Sequence, residues 1–366
     1  MSQRSRLALT IPVLLLLLPS SLATAQSPTV IDLGTLGGTE SYAYKVNNLG
    51  QIVGASIVVE TDAGAPTHGF LWEDGEMIDI GTLTGPDGDF SGASDINDSG
   101  QVVGQSSNQD GNYVAFVWQD GTMQELPGLS EDNYNSYAKA INNNGVAVGA
   151  SSSTSNCPVD VACMHAVRWQ DGQVQDLGTL GGNSSLALDV NERGDIVGYS
   201  DTAEGTIHAF LWTSGQLIDL GPEPETEYST AEIVNNRGQI LGSVGPLGEQ
   251  SRPTMWYRGD SVLVEDLYPD LGQFDVNPYD VNEPGTIVGS YWPMGWPILP
   301  IHAFVSSGNA FRDISDLWGS PSTAWGVNND GWVVGEGTVP HEVTDPEDPD
   351  TTIIDAYYLH AFLMIP

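Results

Sequence analysis

A turn of the form Asn-x-x-Gly recurs along the chain about every 47 residues, each time between two short apolar stretches rich in β-branched residues. Asn at the first position and Gly at the fourth fit a type I turn whose glycine takes a positive φ as a bulge, a common connection between antiparallel strands. We therefore predict seven hairpins, each with an a strand and a b strand. The turn asparagines are Asn47, Asn97, Asn142, Asn191, Asn235, Asn282 and Asn328.

Each hairpin is followed by two more segments with the pattern of strands. A c strand of the type His-Ala-Phe-Leu-Trp alternates at strand period, and a tight turn leads into a d strand that ends in a motif of the type Asp-Leu-Gly. The copies are out of phase: a d strand at Thr29–Gly34 precedes the first a strand, and the last c strand, His360–Met364, has no d strand after it. The N-terminal strand would complete the last sheet and close a ring.

This organisation predicts an all-β fold, a seven-bladed β-propeller of four-stranded antiparallel blades, formed by residues 26–366 as one domain. A parallel β-helix has shorter repeats, and a sandwich gives no reason for the phase offset. Alternating strand direction places the a–b and c–d turns on one face of the ring, the turn face. The b–c and d–a connections lie on the other, the loop face.

The repeats also resemble the extracellular HAF-repeat family. The His-Ala-Phe triplet is intact at His208, His302 and His360, and Asp32–Gly38 and Asp176–Gly182 are similar to the family's Asp-Leu-Gly-Thr-Leu-Gly-Gly signature. The resemblance covers nearly all of residues 26–366 and implies secretion and a β-propeller-like repeat fold. It implies little about activity, because the family is defined by its repeat.

Two copies depart from this pattern. The fifth has Arg252-Pro253-Thr254 in place of His-Ala-Phe, and in the sixth Pro284 occupies a turn position that is disfavoured in type I turns. The repeat pattern therefore supports the predicted blade structure least well in the fifth and sixth copies.

The N-terminus has the three parts of a secretory signal peptide, predicted for residues 1–25. Arg4 and Arg6 precede the apolar run Leu7–Leu18, and Ala23-Thr24-Ala25 supplies a cleavage site. The apolar run is shorter than the ~20 residues of a membrane span. We expect a soluble mature chain, secreted to the periplasm or the medium, with no membrane insertion.

The formal net charge is −38, from 48 Asp plus Glu against 10 Lys plus Arg. Such a field repels nucleic acid and anionic lipid, so we expect no nucleic-acid partner. Solubility in a salty habitat, a cationic partner and a set of calcium sites are three explanations of the charge. We expect a monomer.

The two cysteines, Cys157 and Cys163, lie between two strands of the third copy. Outside the cytoplasm, two cysteines this close in sequence predict a disulfide, which would constrain one loop only. Zinc is the alternative, but His165 is the only further ligand nearby.

Five histidines, His68, His165, His208, His302 and His360, occupy one equivalent position in the c strands. Because residues two apart share a face of a strand, each lies on the same side as core aromatics. A repeated, hydrogen-bonded packing residue explains them better than catalysis or metal binding. The aspartates of the Asp-Leu-Gly motifs are interpreted similarly, as acceptors for turn amides. We predict no catalytic residue.

Two segments of the loop face stand out among its variable connections, which are Ile57–Thr67, Ser151–Cys163, Ser290–Ile301 and Glu336–Tyr357. In the first, Tyr291, Trp292 and Trp296 lie in a Pro-containing segment suited to stacking on sugar rings or anchoring a protein, or else to plugging the ring.

The second is acidic, with Asp345, Glu347, Asp348 and Asp350 as possible Ca²⁺ ligands. A solvated loop without a cofactor is the favoured interpretation.

These features favour a non-enzymatic binding propeller whose loop face engages a polysaccharide or an extracellular protein. One alternative is a secreted glycoside hydrolase or polysaccharide lyase with paired carboxylates in a pocket of the loop face. Another is a structural protein of an envelope or matrix.

Overall fold

The structure is a computed structural model that describes residues 27–59, 64–86, 88–130, 135–153, 163–221, 227–246, 251–264, 274–293, 301–308, 310–344 and 352–366. Within these ranges 28 strands form seven four-stranded antiparallel sheets. One short helix, α1 (Ser315–Trp318), follows the sixth sheet. No helix in the described ranges is long and apolar enough to cross a membrane.

Each sheet is a meander with strands in the order a, b, c, d, as the repeat predicts. The first three blades contain β2 (Ser41–Val46), β3 (Ile52–Ile57), β4 (Thr67–Glu73) and β5 (Glu76–Asp79); β6 (Ser91–Ile96), β7 (Val102–Ser107), β8 (Tyr113–Gln119) and β9 (Thr122–Glu125); and β10 (Ser136–Ile141), β11 (Ala147–Ser153), β12 (Cys163–Gln170) and β13 (Gln173–Gly178).

The next three blades follow the same plan. They contain β14 (Gly181–Val190), β15 (Ile196–Thr202), β16 (Ile207–Thr213) and β17 (Gln216–Asp219); β18 (Tyr228–Val234), β19 (Gln239–Gly245), β20 (Arg252–Tyr257) and β21 (Asp260–Leu263); and β22 (Phe274–Val281), β23 (Ile287–Pro293), β24 (His302–Ser307) and β25 (Ala310–Asp313).

The seventh blade combines both ends of the chain. It contains β26 (Ser322–Val327), β27 (Val333–Thr344), β28 (Thr352–Ile365) and the N-terminal strand β1 (Thr29–Gly34). β1 pairs antiparallel with β28, with Val30 opposite Met364 and Ile31 opposite Leu363. The predicted closure by the N-terminal strand is therefore confirmed.

Hydrophobic packing between blades also closes into a ring. Seven clusters of buried apolar side chains are present, and each joins two neighbouring blades. The phenylalanines of the c strands are central to them: Phe70, Phe116, Phe210 and Phe304 are fully buried. Since each blade faces a neighbour on both sides, the core lies between sheets rather than inside any one of them.

The predicted a–b turns form in all seven copies. In each, the fourth-position glycine has a positive φ, between 72° and 95°, and its amide donates to the carbonyl of the turn asparagine. The sixth copy forms this turn despite Pro284, with Gly285 at φ 95°. The fifth copy also forms a complete blade, with Arg252 at the start of its c strand.

Two segments predicted as loops are partly strands. Within Glu336–Tyr357, β27 and β28 continue as a paired ladder beyond the blade, as far as Thr344 opposite Thr352. Similarly, Tyr291 and Trp292 lie on β23, paired with β22, and not in a loop. The sequence pattern of these segments is interrupted by prolines, which mask the strand character of the flanking residues.

The closure contains one hydrogen-bonded His–Asp pair between the chain ends, His360 Nδ1 to Asp32 at 3.0 Å. The same pair occurs within one hairpin of the fourth blade, His208 Nδ1 to Asp219 at 3.0 Å, with similar exposure of the carboxylate. Partial burial opposes ionisation of Asp32, but hydrogen bonds from His360 and the Gly34 amide keep its pKa below the usual value.

We predict that Asp32→Asn releases β1, whereas Asp219→Asn loosens only a short hairpin. Each substitution should lower stability by about 1 kcal/mol, because the pairs are partly exposed. Hydrogen exchange should show faster exchange along β1 and β28 for Asp32→Asn, and smaller changes in β16 and β17 for Asp219→Asn. The difference between Asp32→Asn and wild type should start to shrink as pH falls below about 4 and disappear once pH lies below the lowered pKa of Asp32. Equal loss of protection at both sites would contradict a special role for the closure.

Candidate functional site: the central channel

The a strands surround the axis of the ring. Residues from the ends of all seven, together with their turns, line one cavity of about 180 Å³. Because each a strand runs from the d–a connection to the a–b turn, its first residues lie near the loop face and its last residues near the turn face. The channel therefore has two chemically different ends.

The turn-face end is built from a ring of buried asparagines. The Nδ2 group of Asn47 donates to the Asn97 carbonyl of the next blade at 3.0 Å, and Asn328 closes the circle by donating to Asn47 at 3.0 Å. Four more links of this type are present, from Asn97, Asn142, Asn191 and Asn282. Asn235 instead donates to Gln239 at 2.8 Å.

A second ring lies just outside the first and is complete. The amide of the residue after each turn asparagine donates to the side chain of the equivalent residue in the next blade, at distances between 2.7 and 3.2 Å. These residues are Asn48, Asp98, Asn143, Glu192, Asn236, Glu283 and Asn329. The sequence carries the signal for this ring, because every one of the seven side chains offers an oxygen acceptor.

Three aspartates connect the blades in pairs, deeper in the channel. Each carboxylate accepts from the amide that follows it and from an amide of the next blade: Asp95 reaches Ile141 at 2.8 Å. Asp189 and Asp280 do the same, so the carboxylates join blades two to three, four to five and six to seven. The first blade instead places Lys45 here, 2.9 Å from Asp280.

The charges of this cluster are strongly coupled. Burial favours the neutral amine of Lys45, but Asp280, Asp95 and Asp189 outweigh it and raise the Lys45 pKa. Burial raises the pKa of Asp95 to about 7, partly offset by Lys45 and the amide hydrogen bonds. Burial also raises the pKa of Asp189. Lys45 is therefore the counter-ion that allows these carboxylates to be charged.

The loop-face end has a larger cavity of about 490 Å³, the tyrosine cavity, which lies against the first four blades. Tyr42, Tyr44 and Tyr137 contribute aromatic rings to its lining. Gly92 lies between them on the second blade, at the position that tyrosine occupies in the first and third. Since this blade has no large side chain there, a recess opens between the rings. The Gln105 amide in the wall donates to the Ser136 carbonyl at 3.1 Å.

The opposite side of this end combines aromatic rings with two carboxyl groups. The rings of Tyr279 and Trp325 lie 4.3 Å apart, and Trp325 Nε1 donates to Glu336 at 2.6 Å. Burial raises the pKa of Glu336, and burial likewise raises the pKa of Glu232, which accepts from Thr230 at 3.1 Å. Both carboxyl groups act electrostatically on the Tyr279 hydroxyl.

The repeated histidines are hydrogen-bonded, as the sequence predicts. Nδ1 of each of the five lies about 3 Å from the aspartate of an Asp-Leu-Gly-type motif. The same aspartates accept from an amide two residues later, as predicted: Asp32 from Gly34 at 2.8 Å and Asp313 from Ser315 at 2.8 Å. Hydrogen bonding to Asp79 raises the pKa of His68. These pairs join c to d strands and lie away from the channel.

The predicted aromatic site lies only partly within the described residues. Tyr291 is buried, its ring contacts His302 and Phe311 edge-on, and its hydroxyl donates to Asp313 at 2.7 Å. Trp292 is half-buried near the end of β23, and Trp296 lies outside the described residues. Tyr291 thus takes part in the His–Asp network of its blade, and ligand binding by this group stays a prediction.

The predicted Ca²⁺ ligands Asp345, Glu347, Asp348 and Asp350 lie outside the described residues. Within the described ranges no group of three His, Cys, Asp or Glu residues is arranged to hold a metal ion. Cys163 is buried at the start of β12 and is disulfide-bonded. Its predicted partner, Cys157, is outside the described residues, so this pairing stays a prediction.

No protein-family model matches the chain, and no curated protein matches it. Solved structures resemble it at low identity. TolB from Acinetobacter baumannii is 10% identical, with a TM-score of 0.46 over 74% of this chain and 61% of TolB. The acylaminoacyl peptidase of Pyrococcus horikoshii is 13% identical, with a TM-score of 0.49 over 81% of this chain and 49% of the peptidase. YCF48 bound to D1 peptide is 13% identical, with a TM-score of 0.48 over 93% of this chain and 95% of that chain. These likenesses concern the fold alone.

We predict that Lys45→Met destabilises the protein strongly at pH 8, by about 3 kcal/mol, because it leaves buried carboxylates without a counter-ion. Lys139→Met is a matched control, since Lys139 lies on an equivalent strand and has no ion pair among the described residues. It should change stability by less than about 1 kcal/mol.

The effect should depend on pH in a defined direction. A carboxyl whose folded pKa is raised loses stability as pH rises between its unfolded value and its folded one, here from about 4 to about 7 for Asp95. In Lys45→Met the free energy of unfolding should fall more steeply with rising pH than in wild type, and at pH 4.5 the two proteins should be similarly stable. Urea unfolding at the two pH values measures it. If the two lysine variants were equally stable at pH 8, Lys45 would not be the counter-ion.

Proposed function

We propose that the protein is a secreted, non-enzymatic binding propeller that holds a segment of polysaccharide in the tyrosine cavity. The observation that carries the proposal is the concave, tyrosine-lined recess at the loop-face end of the channel. Sugar rings present apolar C–H faces and polar rims, and tyrosines match both, with a ring to stack and a hydroxyl to bond. Binding sites are typically such concave apolar surfaces with a few polar groups.

The rigidity of the ring supports this function. The tyrosines lie on a strands that are fixed by the asparagine rings and by closure of the seventh blade. A preorganised site loses less conformational entropy on binding than one built from mobile loops. Tyr42 is held further by its hydroxyl, which donates to Glu40 at 2.7 Å.

Secretion of the mature chain as a monomer is part of the proposal. Its support is the signal-like sequence of residues 1–25 and the resemblance of the repeats to the extracellular HAF-repeat family. The net charge of −38 favours solubility and disfavours nucleic acid as a partner.

We predict that Gly92→Tyr fills the recess and abolishes glycan binding without unfolding the protein. A Cβ at Gly92 would have only the Phe90 ring within 4 Å, at 3.7 Å, so the strand accepts a side chain there. Leu49→Tyr is the matched control, because Leu49 is exposed on the turn face. Binding to an array of oligosaccharides, with the thermal unfolding transition recorded in parallel, tests this. Unchanged binding by folded Gly92→Tyr would reject the tyrosine cavity.

A second candidate is hydrolysis of a glycosidic bond by Glu336 and Glu232. It is favoured by the position of both carboxyl groups beside Tyr279 in the channel and by their raised pKa values, which suit a general acid. Such an enzyme needs one protonated and one charged carboxyl flanking the bond.

If the protein is such an enzyme, Glu336→Gln should reduce the rate of oligosaccharide cleavage by at least 100-fold while binding persists. The amide retains an acceptor for Trp325, so the fold is maintained. Product formation by wild type, measured by mass spectrometry, is the deciding observation. If wild type cleaves none of the oligosaccharides that it binds, the hydrolase hypothesis is rejected and the binding function is retained.

A further inference from the structure

The chain has only two lysines, Lys45 and Lys139, and both lie on inner strands that face the channel. Lys45 is occupied by Asp280 at the turn-face end. Lys139 lines the tyrosine cavity at the other end and has no ion pair among the described residues. The whole chain has 48 acidic residues, yet none of those in the described ranges forms an ion pair with Lys139.

The lining of the tyrosine cavity has a charge opposite to that of the protein. It comprises 12 residues, of which one is lysine and none is Asp or Glu. The centroid of the Tyr137 ring lies 5.6 Å from Lys139 Nζ. Lys139 is itself exposed to solvent, and partial desolvation by the surrounding residues lowers its pKa. Among the described residues, this lysine therefore has no counter-ion.

We propose that the tyrosine cavity binds an acidic saccharide, whose sugar rings lie against Tyr42 and Tyr137 and whose uronate carboxylate pairs with Lys139. The inference rests on the proposed function and specifies its ligand class. A carboxylate of the ligand would supply a counter-ion to Lys139, and a charge-assisted hydrogen bond is stronger than one between neutral groups.

The net charge of −38 strengthens the specificity of such a site. The field of the whole protein repels an anionic polymer, so adsorption elsewhere on the surface is unfavourable. At physiological ionic strength charges farther apart than about 8 Å are largely screened, whereas a carboxylate in direct contact with Lys139 lies well within this distance. Moderate salt should therefore preserve binding at Lys139, in contrast to non-specific electrostatic adsorption, which salt abolishes.

Calorimetry with oligogalacturonate, oligomannuronate and oligoglucuronate, each compared with its carboxyl-reduced counterpart, tests the proposal. At least one acidic oligosaccharide should bind wild type about tenfold or more tighter than the neutral counterpart. Lys139→Gln should reduce this preference to within about twofold without changing affinity for the neutral form, and Lys139→Arg should retain most of it. The thermal transition of each variant confirms folding.

Amine labelling provides a second measurement, because Lys45, Lys139 and the N-terminus are the only primary amines. The acidic oligosaccharide should protect Lys139 from acetylation and leave Lys45 unaffected. If acidic and neutral forms bind equally, or Lys139→Gln keeps the preference, the inference is wrong while the binding function stands. If no saccharide binds, both are wrong.

Discussion

The hydrogen bonds between successive a–b turns are the interaction on which the rest of the structure depends. A turn asparagine uses its side-chain oxygen to fix its own turn, as Asn142 does for Asn144 and Val146, and its Nδ2 group to reach the next blade. One buried side chain therefore specifies both the local conformation and the spacing of neighbours. Because each link needs an adjacent turn, the series closes only when the seventh blade meets the first, through Asn328 and Asn47. At Asn235 the asparagine link is replaced by the outer one, from the Asn236 amide to Glu283.

A second constraint shapes the wall of the channel. All seven a–b pairs shift register at the same place, two or three residues before the turn asparagine. The b strand carries glycine opposite this bulge, and a Cβ there would overlap an a-strand carbonyl, as at Gly54 against Tyr42. The bulge directs consecutive residues, such as Tyr44 and Lys45, towards the channel. Scaffold and site are thus separated along each a strand.

The sequence was sufficient for the four strands of each blade, the a–b turns and the closure, because these depend on local periodicity and on the order of repeats. It was not sufficient for the strand ends at Tyr291 and Trp292 or for the extension of β27 and β28. The sequence analysis predicted that the repeated histidines and aspartates are hydrogen-bonded but not that they pair with each other, although four of the five pairs lie 11 residues apart, as in His68 and Asp79. The channel was not predicted from the sequence. Its side chains come from strands about 47 residues apart, and the bulge breaks the period-two rule that identifies which residues share a face.

The odd number of blades explains why a lysine occupies the turn-face end. Each inner aspartate clamps one blade to the next, and three such clamps account for six blades. A fourth aspartate on the first blade would add a buried negative charge with no further pair of blades to join, and mutual repulsion would oppose ionisation of all four. A lysine at this position instead neutralises part of the charge. Among the described residues Lys139 forms no ion pair, so charge pairing within the ring does not explain its presence. Lys139 lies where a ligand can reach it, and we therefore look for ligand recognition at this side chain.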